Sequence, residues 1–270
     1  MRASGRLHNV RRTIREPRRA DNASMKPIVV IPARLASARL PGKPLADIAG
    51  RPMVVHVLER AQRAGIGPVA VACGEAEIAD AVRAAGGVAV LTDPDLPSGS
   101  DRVHAALREL DPDARHDIVV NLQGDVPTLD PATLALVVAP FGDRRFDICT
   151  FVTAFATREE AERPSAVKAA CAFGAAETVA PALYFSRAPI PSGEGPLWHH
   201  VGVYAYRRAA LDRFVAAPPS ALELREGLEQ LRALEAGMRI GCVRIDDALF
   251  GVDTPADLDR ARAILGGTEH

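Results

Sequence analysis

The segment from Ile28 to Pro44 constrains the fold more than any other. Ile28-Val29-Val30-Ile31 is apolar, rich in β-branched residues and too short for a helix, so it reads as a buried strand. It breaks at Pro32 into Ala33-Arg34-Leu35-Ala36-Ser37-Ala38-Arg39-Leu40-Pro41-Gly42-Lys43-Pro44, which carries three cations and no acid until Asp47. A strand that opens into a basic turn is a common way for α/β proteins to hold phosphate at the carboxyl edge of a sheet. The plainer alternative is a solvated basic loop. Three unpaired cations on a path fixed by prolines weigh against it. The turn is neither familiar phosphate motif. Lys43 is followed by Pro44 with a single Gly before it, which excludes a Walker A loop. Gly65-Ile66-Gly67-Pro68-Val69-Ala70 matches the dinucleotide spacing but leads into an apolar run, so it reads as a helix-ending turn.

From Met25 onward, short apolar runs alternate with helical stretches. A helix is expected over 53–64, strands at 69–72 and 88–91, and a helix over 76–85 that closes at Gly86-Gly87. Ser98 to Asp101 has capping-box spacing for a helix to about Leu110. Ile118-Val119-Val120-Asn121 is the clearest buried strand, and Asp130-Pro131 supplies an N-cap and first-turn proline for a helix over 132–138. This alternation predicts an α/β fold with a doubly wound, mostly parallel sheet. The second half is more mixed. Strands are expected at 147–155, 166–172, 201–206 and 239–246, with helices near 208–216, 222–236 and 255–265. No linker or composition break separates the halves, so residues 25–270 read as one domain in which 151–240 is an elaboration.

Composition narrows the function classes. Hydrophobic residues make up 48% of the 270, enough for a sizeable core, and no stretch approaches the length needed to span a bilayer. The four cysteines, Cys73, Cys149, Cys171 and Cys242, are far apart with no C-x-x-C, and read as buried thiols in a reducing compartment, which points to the cytoplasm. Adjacent His199 and His200 are poorly spaced to ligate one metal. Residues 1–24 hold seven arginines against Glu16 and Asp21, a local +5, which leaves −6 for residues 25–270 out of the total of −1. The first segment lacks an apolar signal core and reads as a disordered basic extension or translated upstream sequence. The acidic body argues against nucleic acid as a partner.

Two acids stand out. Asp125 closes Asn121-Leu122-Gln123-Gly124-Asp125, at the tip of the clearest strand, after a glycine that lets backbone approach closely. In Gly251-Val252-Asp253-Thr254-Pro255-Ala256-Asp257, Thr254 fits an N-cap, Pro255 the first helical position and Asp257 the reciprocal capping carboxylate. That leaves Asp253 with no capping duty. Mg²⁺ prefers one or two carboxylates with waters and phosphate oxygens. Two strand-end aspartates facing a basic loop match this, since Arg34, Arg39, Lys43 and a metal can screen a triphosphate that carboxylates alone would repel.

These segments resemble the 3-deoxy-manno-octulosonate (Kdo) cytidylyltransferases from 25 to about 265. The matches are Ile31-Pro32-Ala33-Arg34, Arg39 to Leu45, Pro52-Met53 with His56, Ser98-Gly99 with Arg102, Gln123-Gly124-Asp125, Ala182 to Arg187, His200 with Gly202 and Tyr204, Leu228 to Arg232, and Gly251 to Pro255. The resemblance implies a nucleotide-diphospho-sugar transferase-like α/β fold with a smaller sugar-binding and dimerising portion, working as a homodimer on CTP and Kdo with Mg²⁺. By position, Arg34 and Lys43 would grip the triphosphate, with Ser37 ordering the loop. Ser98, Arg102 and Gln123 would lie near cytosine or ribose. Asp125 and Asp253 would hold the metal, and Arg187, His200, Tyr204, Glu229 and Gln230 would line the pocket for the acid sugar. The chain departs from the family pattern at Cys73-Gly74, Asp101, Val126, Ser165, Ala221 and Gly227. The expected activity is CMP transfer from CTP to Kdo for lipopolysaccharide assembly. The alternatives are a related acid sugar (8-amino-Kdo or a sialic acid) and a non-catalytic nucleotide binder.

Overall fold

A computed structural model describes residues 25–37, 39–143, 145–246 and 249–267. The basic extension expected at residues 1–24 lies outside the described residues. In chain order the elements are β1 (Pro27–Ala33), β2 (Asp47–Ile48), β3 (Arg51–Pro52), α1 (Met53–Arg63), β4 (Val69–Cys73), α2 (Ala76–Ala84), β5 (Val88–Leu91), α3 (Gly99–Leu110), β6 (Ile118–Asn121) and α4 (Pro131–Val138). The second half adds β7 (Ile148–Ala154), α5 (Arg158–Glu162), β8 (Lys168–Cys171), β9 (Val179–Ser186), β10 (Trp198–Arg207), α6 (Arg208–Ala216), α7 (Ala221–Glu226), α8 (Gln230–Glu235), β11 (Ile240–Arg244) and α9 (Pro255–Gly266).

One sheet runs through the molecule in the order β5-β4-β1-β6-β10-β7-β11-β9-β8. Its first four strands are parallel, as the alternation predicts. The other half is not. Strand β10 lies antiparallel between β6 and β7, β11 returns parallel to β7, and β9 and β8 are antiparallel again. The sheet is therefore mixed rather than mostly parallel. The physical reason is that β10 runs directly into α6 at Arg208, with no crossover helix ahead of it to force a parallel return. Two buried apolar clusters hold the layers together. One contains Val29, Ile31, Val71, Val120 and the inward stripe of α1, and the other Val30, Val119, Leu107, Tyr206 and Leu231.

Local signals fix the helix ends. Ser98 accepts from the Asp101 amide, Asp130 from the Ala132 amide, and Thr254 and Asp257 form a reciprocal capping box with Pro255 in the first turn. The single helix expected over 222–236 is two, because Gly227 sits at φ 63° and ends α7. Strand β9 and the β2–β3 hairpin carry no alternation strong enough to mark them in the sequence.

Gly67 shows how closely the parallel strands are served by their turns. A Cβ there would lie 2.0 Å from the Pro27 carbonyl oxygen, which β1 cannot withdraw without losing register. Gly67→Ala is expected to cost roughly 2–3 kcal/mol. Urea unfolding of the variant checks this, and a loss below about 0.5 kcal/mol contradicts it.

Candidate active site

The site forms where β1, β4 and β6 end. Gly42, at φ 70°, turns the basic loop back on itself, with its amide bonded to the Leu35 carbonyl. The loop is also held from outside, since the Leu35 amide donates to Glu75 Oε2 at 2.8 Å. These two ties aim Lys43 at the strand ends. Gly124 lets the β6 turn approach, as a Cβ there would sit 3.1 Å from the Pro32 carbonyl. The Val252 amide donates to the Asp125 carbonyl at 2.8 Å, which draws the start of α9 to the same point.

The result is a charge cluster. Lys43 Nζ donates to Asp125 Oδ2 at 2.8 Å and to Asp253 Oδ1 at 3.1 Å, and Arg39 pairs with Asp253 Oδ2 at 3.0 Å. Two carboxylates 128 residues apart thus share one ammonium, within the span of a single cation. Burial by itself would lower the Lys43 pKa. The charges and hydrogen bonds of Asp125 and Asp253 outweigh it and hold Lys43 above the ordinary lysine value. Arg34 is exposed beside this cluster and makes no ion pair among the described residues.

Two cavities open from here. The smaller, about 390 Å³, is lined by Arg34, Ser37, Lys43, Ser98, Gly99, Arg102 and neighbouring residues. The larger, about 1080 Å³, has Arg163, Arg187, His199, His200 and Ser165 on its walls. They share Arg39, Gln123, Asp125 and Asp253, so both compartments meet at the two acids.

Some expected residues occupy these walls in a different capacity. Arg102 lines the smaller cavity but is buried, and donates to Thr92 Oγ1, the Asp93 carbonyl and the Pro94 carbonyl at 2.6, 2.9 and 3.0 Å. It braces the 92–94 segment. Gly74 makes room for it, because a Cβ there would lie 3.1 Å from Arg102 Nη1. Arg187 lines the larger cavity while donating to the carbonyls of Glu226, Pro164 and Gly227. Three of its five N–H groups are thereby engaged. Tyr204, Glu229 and Gln230 line neither cavity. Tyr204 faces inward on β10 between His200 and Tyr206, and Gln230 is buried with Nε2 unpartnered, as is Glu229 Oε2. Burial raises the Glu229 carboxyl above the usual range, opposed by its Ser100 bond and by Arg232.

His200 has a defined protonation state. Thr150 gives its one hydroxyl proton to a backbone carbonyl, Val203 at 2.8 Å, so His200 Nε2, 3.1 Å away, is the donor and Nδ1 is left as an acceptor. Burial, and then His199, push the imidazole down to about 3. The unfolded chain takes up this proton near 6.5, so protons favour unfolding between the two values and stability falls as pH drops from about 6.5 to 3. Thermal melts across that range should show a shallower decline for His200→Asn, and an unchanged slope would refute the assignment.

Two supports escaped the sequence reading. Lys168, fully buried on β8, donates to the Arg163 carbonyl at 2.9 Å and to the Arg187 carbonyl, tying together two segments that line the larger cavity. A lysine inside a strand of small apolar residues was the available signal. Glu226 takes the Arg187 amide and Ser186 hydroxyl, each at 2.9 Å, and has no such signature. Among the described residues no group of three or more His, Cys, Asp or Glu is placed to hold a metal ion, and no helix is long and apolar enough to cross a membrane.

A mixed α/β sheet whose strand ends gather a basic turn and paired carboxylates suits a protein that handles phosphate-bearing ligands, and comparison with known proteins gives the class, the nucleotidyltransferases. A family model described as cytidylyltransferase matches residues 28–240, and the chain belongs to that family. It is 57% identical over 243 residues to the 3-deoxy-manno-octulosonate cytidylyltransferase of Paramagnetospirillum magneticum, covering 90% of this chain and 99% of the relative. With the protein of that description from Methylobacterium radiotolerans it shares 59% over 245 residues, 89% of this chain and 97% of the relative. Among solved structures it is similar to CMP:2-keto-3-deoxy-manno-octonic acid synthetase complexed with CTP. That match has a TM-score of 0.81 and 40% identity, over 90% of this chain and 99% of the other.

Proposed function

We propose that this chain is a nucleotidyltransferase that moves CMP from CTP to 3-deoxy-D-manno-octulosonate, giving CMP-Kdo and pyrophosphate. The observation that carries the reading is the meeting of a basic cavity and a larger, arginine-walled cavity at Asp125 and Asp253. The triphosphate belongs in the smaller cavity, against Arg34, Lys43 and Ser37. The acid sugar belongs in the larger one. There Arg187 keeps N–H groups free for a carboxylate, and His200 Nδ1 can accept from a hydroxyl.

The sugar's anomeric hydroxyl oxygen attacks the α-phosphorus of CTP in line, forming one P–O bond while the bond to the β-phosphate oxygen breaks, pyrophosphate leaves and the hydroxyl's proton passes to solvent. Lys43, kept protonated by its two acids, supplies a fixed charge to the phosphates. Arg34 adds a second. Gln123 lies at the junction, where attacking and attacked groups must lie side by side. The donor set fits Mg²⁺: two hard carboxylate oxygens already converge on one cation, with the remaining positions left to water and phosphate. Bound by Asp125 and Asp253, the ion would lower the hydroxyl's pKa and stabilise charge at the reacting phosphate. None of the site residues is assigned as a general base.

The same reading makes the protein a cytoplasmic enzyme that activates Kdo for lipopolysaccharide assembly, working as a homodimer through the 151–240 portion. Leu183 and Leu224 are the large apolar side chains left most exposed there. Incubation with CTP, Kdo and Mg²⁺ should release pyrophosphate and yield a product with the mass of CMP-Kdo. EDTA should stop the release and added Mg²⁺ restore it. No release with Kdo, 8-amino-Kdo or a sialic acid removes the proposal.

A further inference from the structure

Beneath the point where the cavities meet lies a line of buried polar groups that apolar packing does not require. Ser100, in the first turn of α3, and Asn121, at the end of β6, are wholly buried, and Tyr206 on β10 nearly so. Ser100 Oγ lies 2.9 Å from Glu229 Oε1, and 3.4 Å from both Asn121 Nδ2 and the Tyr206 hydroxyl. Gln123 Nε2 donates to Asn121 Oδ1 at 2.9 Å. The hydrogen bonds therefore run unbroken from Glu229 to a residue that lines both cavities.

The chemistry at one end dictates the direction throughout. A carboxylate only accepts, so Ser100 gives its single proton to Glu229. Its two lone pairs then receive Asn121 Nδ2–H and the Tyr206 O–H, which saturates the hydroxyl. With its nitrogen committed to Ser100, Asn121 can offer only Oδ1 to Gln123. Gln123 must answer with Nε2. Oε1 is then the end of that amide left for a ligand.

We propose that Ser100, Asn121 and Glu229 are positioning residues that orient the Gln123 carboxamide, so that the site presents a hydrogen-bond acceptor to a donor on the ligand. The inference deepens the functional reading above and rests on it for the identity of the substrates. The matching donor is an O–H or N–H group, carried either by the acid sugar or by the nucleotide. It also gives Glu229 a role that does not require it to line the sugar pocket. An amide turned the other way would set donor against donor, a mismatch that polar sites reject strongly.

The decisive test couples two residues that do not touch. Gln123→Glu places an acceptor against Asn121 Oδ1 and should lower kcat/KM about 100-fold, and Glu229→Gln, which lets the line run either way, about 10-fold. Combined, they permit a full reversal: the amide at 229 donates to Ser100, Ser100 to Asn121 Oδ1, and Asn121 Nδ2 to the new carboxylate, whose other oxygen again faces the ligand. The double variant should retain at least ~10-fold more kcat/KM than the product of the two single effects. Losses that multiply within about twofold, as for independent sites, overturn the proposal. Ser100→Ala should raise one KM about 10-fold with kcat less affected. A rise for the acid sugar or for CTP tells which substrate carries the donor, whereas a lower Tm with neither KM changed overturns it. The Gln123 side-chain amide protons, followed by ¹⁵N NMR, should be protected from exchange in the wild type and lose protection in Ser100→Ala. Unchanged protection refutes the relay. This readout needs no turnover, so a wild type that releases no pyrophosphate would sink the functional reading alone.

Discussion

Asp125→Asn is expected to lower kcat about 10³-fold, equivalent to about 4 kcal/mol of transition-state stabilisation, while leaving the fold intact. The substitution is isosteric and removes one of two carboxylates that share the Lys43 ammonium. It halves the anionic charge available to a divalent cation at the junction of the cavities. Stability should change by about 1 kcal/mol or less, because the pair is partly solvated and the tie from the Val252 amide uses the Asp125 backbone carbonyl. Steady-state pyrophosphate release at saturating CTP, with a thermal melt alongside, separates the two effects. A kcat within tenfold of wild type would contradict the role given to this acid.

Lys43→Met is the second large effect. It should raise KM for CTP about 100-fold and lower kcat about 10-fold or more. Without the ammonium, Asp125 and Asp253 face each other with Arg39 paired to Asp253 alone, and Arg39 is largely exposed. The smaller cavity loses one of its four cationic lining residues, the one bonded to both acids. Lys43→Arg should rescue little, since a planar fork cannot reproduce a point charge held between two oxygens. Binding of CTP measured by calorimetry should show the same loss. An unchanged affinity would mean that the triphosphate does not lie against this residue.

Both effects concern residues that the sequence singles out, and the reason is chemical. Arg34, Lys43, Asp125 and Asp253 stand in short motifs whose neighbours are already explained as strand, turn or cap. The surplus charge is what remains. Ser98, Gln123 and His200 also lie on cavity walls. Tyr204, Glu229 and Gln230 do not. Whether a side chain on β10 or near α8 faces a cavity or the core depends on a register shift between Val201 and Tyr204, and on the break at Gly227. Motif spacing carries neither. Arg102 and Arg187 stand at the expected places, yet most of their hydrogen bonds go to backbone carbonyls of segments distant in sequence or shaped by tertiary packing.

The chain's own sequence determined most of its local elements and several of their ends. The Ser98–Asp101 cap, the Asp130-Pro131 start and the Thr254–Asp257 box each form among residues two or three positions apart, where backbone propensity and side-chain reach suffice. Tertiary structure decided the antiparallel insertion of β10 and the inward face of Tyr204. It also decided the polarity of the line from Glu229 to Gln123. Those depend on groups as far as 129 residues apart competing for the same hydrogen-bonding atoms. That competition is resolved only when the sheet and helices are packed together.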